Sequence, residues 1–219
     1  YMDYLEPCHY STRLIEKLQS LDTENILDFK LIDKAIYWAK KYHDGQFRKS
    51  GEPFYTHPLE VAYMISEYKL KTDTTVTAIL HDIVEDTAVT ASMILDGFGR
   101  RIEEMVDRLT RDRPDGSKLS VEEILNNAYE KDDKEVLLIK VIDRLHNMQT
   151  LGSMSNKKQN KIAIETLKSV IFYGDQINIE KELNCISSNI IFPEHVNYLK
   201  RLYSKKFFSD NFQLPSLVK

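Results

Sequence analysis

The segment 136–142 constrains the fold of this chain more than any other stretch. Six of its seven residues are valine, leucine or isoleucine, so a helix here is apolar around most of its circumference and belongs in the protein interior. Asp143 follows directly, and a carboxylate on a buried helix is costly unless it pairs with a cation or binds a metal. From these residues alone both explanations stay open: a salt bridge to Arg144 or another basic residue, or a metal ligand.

Helical periodicity extends along most of the chain. Apolar residues recur at helical spacing, and Ser120–Glu123 has the pattern of a capping box at a helix start. The chain holds only seven glycines, where average usage would give about fifteen, and no stretch alternates like a strand. We therefore predict an all-α helical bundle, whose other main helices span residues 28–42, 58–65, 77–87, 102–109, 120–128 and 156–172.

Charge and composition argue against several classes of partner. The net charge of −4 and pI near 5.9 differ from the basic excess of most DNA- and RNA-binding proteins, although they allow a local basic pocket. No apolar run approaches the ~20 residues of a membrane span. Cys8 and Cys185 lack the spacing of a metal site, which indicates reduced thiols in a cytoplasmic protein. Nothing in the sequence indicates an oligomer, and that question stays open.

The stretch 77–87 carries polar groups on a predicted helix. Its apolar residues fall at helical spacing, and His81, Asp82, Glu85 and Asp86 would lie together on the opposite side. Histidine and aspartate are metal-ligand types, and the two acids one turn later are candidate acid–base groups. Taken alone, such a stretch is more often the solvated face of an amphipathic helix.

Other histidines and polar residues extend this candidate set. His57 precedes a proline at a predicted helix start, after a loop rich in glycine and proline. A histidine there is more often a cap or a surface residue than a ligand. Asn147 and Thr150 follow Asp143 at i+4 and i+7, hence on the same side of the helix. His146 is predicted to face elsewhere and, like His43, to be structural.

Three long motifs resemble the hydrolase domain of the RelA/SpoT-homologue family. They span Gln46–Pro58, Leu80–Thr87 and Ile139–Leu151, in that order, with shorter matches at Phe98–Gly99 and Ile162–Leu167. Their order of His57, then His81-Asp82, then Asp143 is the signature of the HD phosphohydrolase superfamily. The resemblance covers about residues 30–170 and implies an HD-domain helical bundle.

The resemblance also implies an activity and a role for each motif residue. The implied reaction is hydrolysis of the 3′-pyrophosphate of guanosine tetra- and pentaphosphate, which yields GDP or GTP and pyrophosphate. Two imidazoles and two carboxylates without a thiolate suit Mn²⁺, or Fe²⁺ or Zn²⁺. The implied Mn²⁺ ligands are His57, His81, Asp82 and Asp143. Glu85 and Asp86 would act on the attacking water, and the nucleotide would bind Arg48, Lys49, Ser50, Asn147 and Thr150.

The resemblance suggests three regions. These are an N-terminal helical extension over 1–27, the HD hydrolase domain over 28–174, and a C-terminal helical extension over 175–219 that packs on the hydrolase domain. No synthetase domain fits after the hydrolase, so the sequence indicates a small stand-alone alarmone hydrolase or a fragment of a longer protein. Two alternatives stay open. One is an HD phosphohydrolase acting on another nucleotide, such as the 2′-phosphate of NADPH. The other is a non-catalytic module that binds the alarmone.

Overall fold

A computed structural model describes residues 3–150, 155, 157–158, 161–162 and 165–166 of the 219-residue chain. Among these residues the β structure consists of two isolated bridges, Phe47–Pro53 and Asp112–Lys118, so the predicted all-α class is confirmed. The helices of this part are α1 (His9–Leu21), α2 (Phe29–Tyr42), α3 (Thr56–Ile65), α4 (Thr72–Leu80), α5 (Ile83–Asp86), α6 (Ala91–Phe98), α7 (Arg100–Leu109), α8 (Val121–Glu130) and α9 (Lys134–Gln149), with a 3₁₀ turn at Ser66–Tyr68.

Side-chain caps fix where several helices begin. Asp28, Thr90 and Asp133 each accept a hydrogen bond from the backbone N–H three residues along the chain. Ser120 and Glu123 bond each other's backbone N–H groups, which confirms the capping box at the start of α8. Each cap satisfies N–H groups that the first turn of a helix leaves without an intrahelical partner.

Helix α9 lies in the interior, as its apolar sequence predicted. Ile139, Val141 and Ile142 have no exposed surface, and α9 packs against α3, α7 and α8. Helix α4 packs against α2, α3 and α7. Helix α1, in the segment predicted as an N-terminal extension, packs on α3 and buries Leu14 and Leu18 in the same core. Helices α3, α4 and α9 therefore meet around one buried region.

The prediction of a single helix over 77–87 was wrong. Helix α4 ends at Leu80 and α5 begins at Ile83, with His81 and Asp82 in the turn between them. The imidazole Nδ1 of His81 lies 2.7 Å from the carbonyl oxygen of Ala78, the acceptor that a continuous helix would offer to the amide of Asp82. A side chain that takes this carbonyl competes with helix propagation.

Some predicted elements fall outside the described residues. The proposed C-terminal extension over 175–219 lies entirely outside them, and the helix predicted over 156–172 lies largely outside. Within that helix, residues 157–158, 161–162 and 165–166 are helical. None of the helices in the described part of the chain is long and apolar enough to cross a lipid bilayer.

Candidate metal centre

The four predicted metal ligands meet where α3, α4 and α9 come together. His57 is the second residue of α3, Asp143 lies on α9, and His81 and Asp82 form the turn after α4. Each residue offers one ligand atom, and the four atoms all lie within 4.8 Å of one another. His57, His81 and Asp143 are buried, and the side chain of Asp82 is 19% exposed. The cluster is therefore an interior pocket of ligand atoms and not a solvated helix face.

Separations within the cluster fit a single divalent ion. His57 Nε2 lies 3.0 Å from Asp143 Oδ1 and 3.5 Å from Asp82 Oδ2. His81 Nε2 lies 3.1 Å from Asp82 Oδ2 and 3.7 Å from Asp143 Oδ1. Ligand atoms about 2.0–2.2 Å from a metal are about 3 Å apart when they occupy adjacent positions around it. The His/Asp cluster could therefore bind a divalent metal.

The hydrogen bonding of His81 supports this fit. Its Nδ1 must donate to the Ala78 carbonyl, since a carbonyl oxygen only accepts. In the neutral ring the lone pair is then on Nε2, as a metal ligand requires. This Nε2 is buried and makes no hydrogen bond within the described residues, although Asp82 Oδ2 lies 3.1 Å away. A metal would provide the missing partner.

His146 contacts the cluster, so the prediction that it faces elsewhere was wrong. Its Nδ1 lies 2.7 Å from His57 Nδ1, and it sits three residues after Asp143, a spacing that places two side chains on one helix side. Burial, His57 and Arg48 together lower the pKa of His146 to about 3. His146 is therefore neutral near pH 7, and one of the two Nδ1 atoms donates to the other, which fixes the orientation of the His57 ring.

Asp143 pairs with a cation, which is one of the two explanations that the sequence left open, and it also faces the candidate metal cluster. Its Oδ2 forms an ion pair with Lys140 Nζ at 3.0 Å, and both side chains are 6% exposed. Its Oδ1 faces His57 and also accepts a hydrogen bond of 2.7 Å from Asn147 Nδ2. Burial raises the pKa of Asp143, but Lys140 and His57 outweigh it and hold the pKa well below its usual value. The cation that pairs with Asp143 is Lys140 rather than Arg144.

The two carboxylates of the cluster strongly affect the protonation of His81. Burial lowers the pKa of His81, but Asp82 and Asp143 outweigh that effect and raise it to about 10. Burial raises the pKa of Asp82, but the His81 cation outweighs it and lowers the pKa to about 2. Burial also lowers the pKa of His57. In the metal-free protein near pH 7, two carboxylates therefore surround one imidazolium, and a divalent cation could replace its proton.

The predicted acid–base pair lies on α5, which begins directly after Asp82. Glu85 Oε1 pairs with Lys118 Nζ at 2.9 Å, and Glu85 Oε2 accepts the backbone N–H of Arg111 at 3.1 Å. Burial, followed by the charges of Asp82 and Glu85, raises the pKa of Asp86 to about 6. A carboxyl group that titrates near neutral pH can accept or return a proton during a reaction.

Three of the predicted nucleotide-binding residues form one hydrogen-bonded group beside the cluster. Arg48 Nη2 donates to Asn147 Oδ1 at 3.1 Å and to Thr150 Oγ1 at 2.7 Å. Asn147 in turn bonds Asp143, so the group is directly connected to a candidate metal ligand. Lys49 and Ser50 lie on the exposed part of the same loop, where Ser50 Oγ bonds Glu52.

The loop before α3 also carries contacts that the sequence did not indicate. His43 is buried, stacks on Phe54 at 4.7 Å, and places Nδ1 2.8 Å from Gln46 Oε1. Gln46 Nε2 donates to the carbonyl oxygen of Asp86 at 2.7 Å. These contacts tie His43 to the loop, and its structural role stays a prediction. Gln46 joins that loop to the acid pair on α5.

The model of the HD domain family matches residues 35–170. This chain belongs to the HD domain family. The match covers every residue of the candidate metal centre as well as Arg48, Asn147 and Thr150.

Several curated relatives are similar to this chain over most of its length. A Myxococcus xanthus protein named GTP pyrophosphokinase is 36% identical over 190 residues, which is 82% of this chain and 25% of the relative. The Haemophilus influenzae guanosine-3′,5′-bis(diphosphate) 3′-pyrophosphohydrolase is 36% identical over 174 residues, which is 75% of this chain and 25% of the relative. The Escherichia coli bifunctional (p)ppGpp synthase/hydrolase SpoT is 32% identical over 183 residues, which is 79% of this chain and 26% of the relative. The predicted resemblance to the RelA/SpoT type is confirmed, and the chain spans about a quarter of these relatives' length.

A solved structure shares the fold. It is described as "A metazoan ortholog of SpoT hydrolyzes ppGpp and plays a role in starvation responses". The similarity has a TM-score of 0.51 and 19% sequence identity, and covers 92% of this chain and 97% of the other. At that identity the comparison supports the arrangement of the HD-domain helices only.

Proposed function

We propose that this HD domain hydrolyses the 3′-pyrophosphate of guanosine tetra- and pentaphosphate, releasing pyrophosphate and GDP or GTP. The observation that carries the proposal is the direct connection between the metal cluster and the Arg48 group through Asn147. Asn147 donates to the ligand Asp143 and accepts from Arg48. A phosphate bound by Arg48 is thereby held beside the metal-binding residues. The names of the Haemophilus and Escherichia relatives agree with this activity.

The charged groups suit a highly anionic nucleotide. Arg48 uses only Nη2 for Asn147 and Thr150 in the contacts described, and its planar guanidinium has five donors in total. Nε and Nη1 can therefore bind phosphate oxygens, or the plane can stack on a base. Lys49 adds a flexible, exposed positive charge on the same loop. We infer that a chain of net negative charge thus offers a local cationic site.

His57, His81, Asp82 and Asp143 would hold Mn²⁺. We favour Mn²⁺ because imidazole and carboxylate ligands without a thiolate suit a borderline-to-hard cation. When bound, such an ion lowers the pKa of coordinated water and polarises a phosphoryl oxygen. Lys140 holds Oδ2 of Asp143 and leaves Oδ1 turned towards the cluster. The His146 contact fixes the His57 ring.

The acid pair supplies the proton chemistry in this proposal. Glu85 orients the attacking water through its anchored carboxylate, and Asp86 takes part in moving the proton. A pKa of about 6 for Asp86 leaves it mostly ionised at pH 7 yet able to hold a proton briefly. General acid–base groups of this kind typically contribute a factor of about 10² to 10⁴.

A nucleotide panel tests the proposal. Purified protein with Mn²⁺ is given guanosine tetraphosphate, guanosine pentaphosphate and NADPH in separate reactions, and pyrophosphate and orthophosphate release are measured. We expect pyrophosphate from both guanosine substrates and no release from an Asp143→Ala variant. Orthophosphate from NADPH alone would favour the other-nucleotide alternative. Tight binding of intact guanosine tetraphosphate without turnover would favour a non-catalytic module.

The remaining features of the proposal rest on the sequence. We propose a cytoplasmic protein with an HD hydrolase domain over 28–174, flanked by extensions over 1–27 and 175–219. The substrate is a small nucleotide rather than DNA, RNA or a membrane. The acidic composition and the small number of cysteines, two in the whole sequence, support this assignment.

A further inference from the structure

Both carboxylate oxygens of Glu85 are held by one hairpin between α7 and α8. Lys118 Nζ lies 2.9 Å from Oε1, and the backbone N–H of Arg111 donates to Oε2 at 3.1 Å. Lys118 and Arg111 lie 33 and 26 residues beyond Glu85 in the chain, on opposite strands of the hairpin. Two donors from different directions prevent the carboxylate plane from rotating.

The hairpin is ordered by its own hydrogen bonds. Arg111 and Leu119 are joined by the backbone bond Leu119 N–H to Arg111 O, at 2.9 Å, and by the Arg111 Nε bond to Leu119 O, also 2.9 Å. The backbone N–H of Arg113 donates to Ser117 O at 2.9 Å. These bonds place Lys118 directly across from Asp112, whose Oδ1 lies 2.9 Å from Lys118 Nζ. Lys118 is therefore fixed between two carboxylates.

The solvent exposure of the Glu85–Lys118 ion pair indicates whether Lys118 mainly stabilises the fold or mainly positions Glu85. The Lys118 side chain is 48% exposed and that of Glu85 is 16% exposed. Ion pairs with a solvent-exposed partner contribute little to folding stability. An acid that must meet a water molecule in a defined orientation is more sensitive, because small displacements of reacting groups can reduce rates by up to about 10². Lys118 should therefore affect turnover more than stability.

We propose that Lys118 is a positioning residue for the reaction: together with the Arg111 N–H, it holds the Glu85 carboxylate in the orientation that the attacking water requires. This inference rests on the proposed function, and it adds a residue outside the resembling motifs to the machinery of the site. Lys118 acts through Glu85 and does not contact the substrate. Its loss therefore lowers kcat and leaves KM almost unchanged.

Steady-state kinetics on five variants test the role of Lys118. Lys118→Met keeps the length of the side chain and removes its charge, and Lys118→Arg restores the charge. Lys134→Met is the matched control, because Lys134 is also an exposed lysine with a carboxylate partner, Asp132 at 3.9 Å. The fourth variant is Glu85→Gln alone, and the fifth combines Lys118→Met with Glu85→Gln. Thermal unfolding followed by circular dichroism shows whether each variant is folded.

The expected pattern distinguishes positioning from the other roles. Lys118→Met should lower kcat about tenfold or more with KM within about twofold, while Lys118→Arg and Lys134→Met stay near wild type. In the Glu85→Gln background, Lys118→Met should cause no further loss, because a residue that acts only through Glu85 has nothing left to position.

Three results would overturn the inference while leaving the proposed function intact. The first is an unchanged kcat in Lys118→Met. The second is a rise in KM alone, which would make Lys118 a substrate contact. The third is that Lys118→Met lowers kcat as much in the Glu85→Gln background as it does in the wild type. Wild-type protein that releases no pyrophosphate but hydrolyses another nucleotide would refute the proposed substrate, and the same variants would then be compared on that nucleotide. Absence of turnover on every nucleotide would overturn both proposals.

Discussion

Metal binding should release a proton from His81, so metal affinity should rise steeply with pH. In the metal-free protein Asp82 and Asp143 outweigh the effect of burial and raise the pKa of His81 to about 10. A metal can bind only the neutral ring, which at pH 7 is about a thousandth of the population. Displacing the proton costs about 4 kcal/mol at 1.36 kcal/mol per pKa unit. The metal dissociation constant should therefore fall about tenfold per pH unit between pH 7 and pH 9.

Isothermal titration calorimetry with Mn²⁺ measures this release directly. Titrations at pH 7.5 in HEPES and in Tris, whose protonation enthalpies differ, give the number of protons released for each metal bound. We expect about one, because the pKa values of Asp82 and Asp143 are lowered and that of His57 is also lowered. The exposed His9 lies outside the site, so a His9→Ala variant should release the same number.

The same pKa shift predicts how the stability of the metal-free protein depends on pH. A folded-state pKa of about 10 exceeds the usual value near 6.5. The contribution of His81 to stability is therefore fully present below pH 6.5 and is lost as pH rises towards 10. Saturating metal should remove this dependence. An affinity that stays constant between pH 7 and pH 9, with no proton released in either buffer, would refute the reasoning.

Substitutions should separate metal binding, chemistry and nucleotide binding. Asp82→Ala should abolish both bound metal, measured by elemental analysis, and pyrophosphate release, since it removes a ligand from a four-ligand cluster. Glu85→Gln should retain metal and lower kcat by about 10² or more; equal loss of metal in both variants would show that Glu85 is misassigned. Arg48→Lys should raise KM about tenfold, because lysine cannot bond Asn147 and phosphate with one planar group; unchanged KM in initial-rate assays would contradict this.

The sequence predicted those parts of the site that depend on residue type and helical spacing. Asp143 and Asn147 share one side of α9, as i and i+4 spacing requires, and Thr150 is the residue directly after the end of α9. Arg48 bonds both Asn147 and Thr150. The buried position of α9 followed from its apolar circumference alone. Such features can be predicted from the periodicity of a helix and from the energetic cost of burying a charge.

The sequence did not reveal features that depend on a side chain competing for a backbone hydrogen bond or on contacts between distant parts of the chain. The break after Leu80 arises because the His81 ring takes a carbonyl that the helix would otherwise use, which apolar periodicity does not reveal. Lys118 reaches Glu85 from a hairpin whose fold depends on its own backbone bonds. Lys140 is a different case, because its position three residues before Asp143 makes the pairing available to a search for i, i+3 ion pairs.

The charges of the cluster connect metal binding with the choice of substrate. Without metal, the carboxylates of Asp82 and Asp143 are matched by the imidazolium of His81 and the ammonium of Lys140, so the buried group carries no net charge. Exchange of the His81 proton for a divalent cation leaves a net charge of about +1 in a largely buried site. Arg48, joined to Asp143 through Asn147, adds a second positive charge next to it. Metal loading would thus convert a neutral buried cluster into a cationic site, whose charge an anionic polyphosphate could neutralise and a neutral ligand could not.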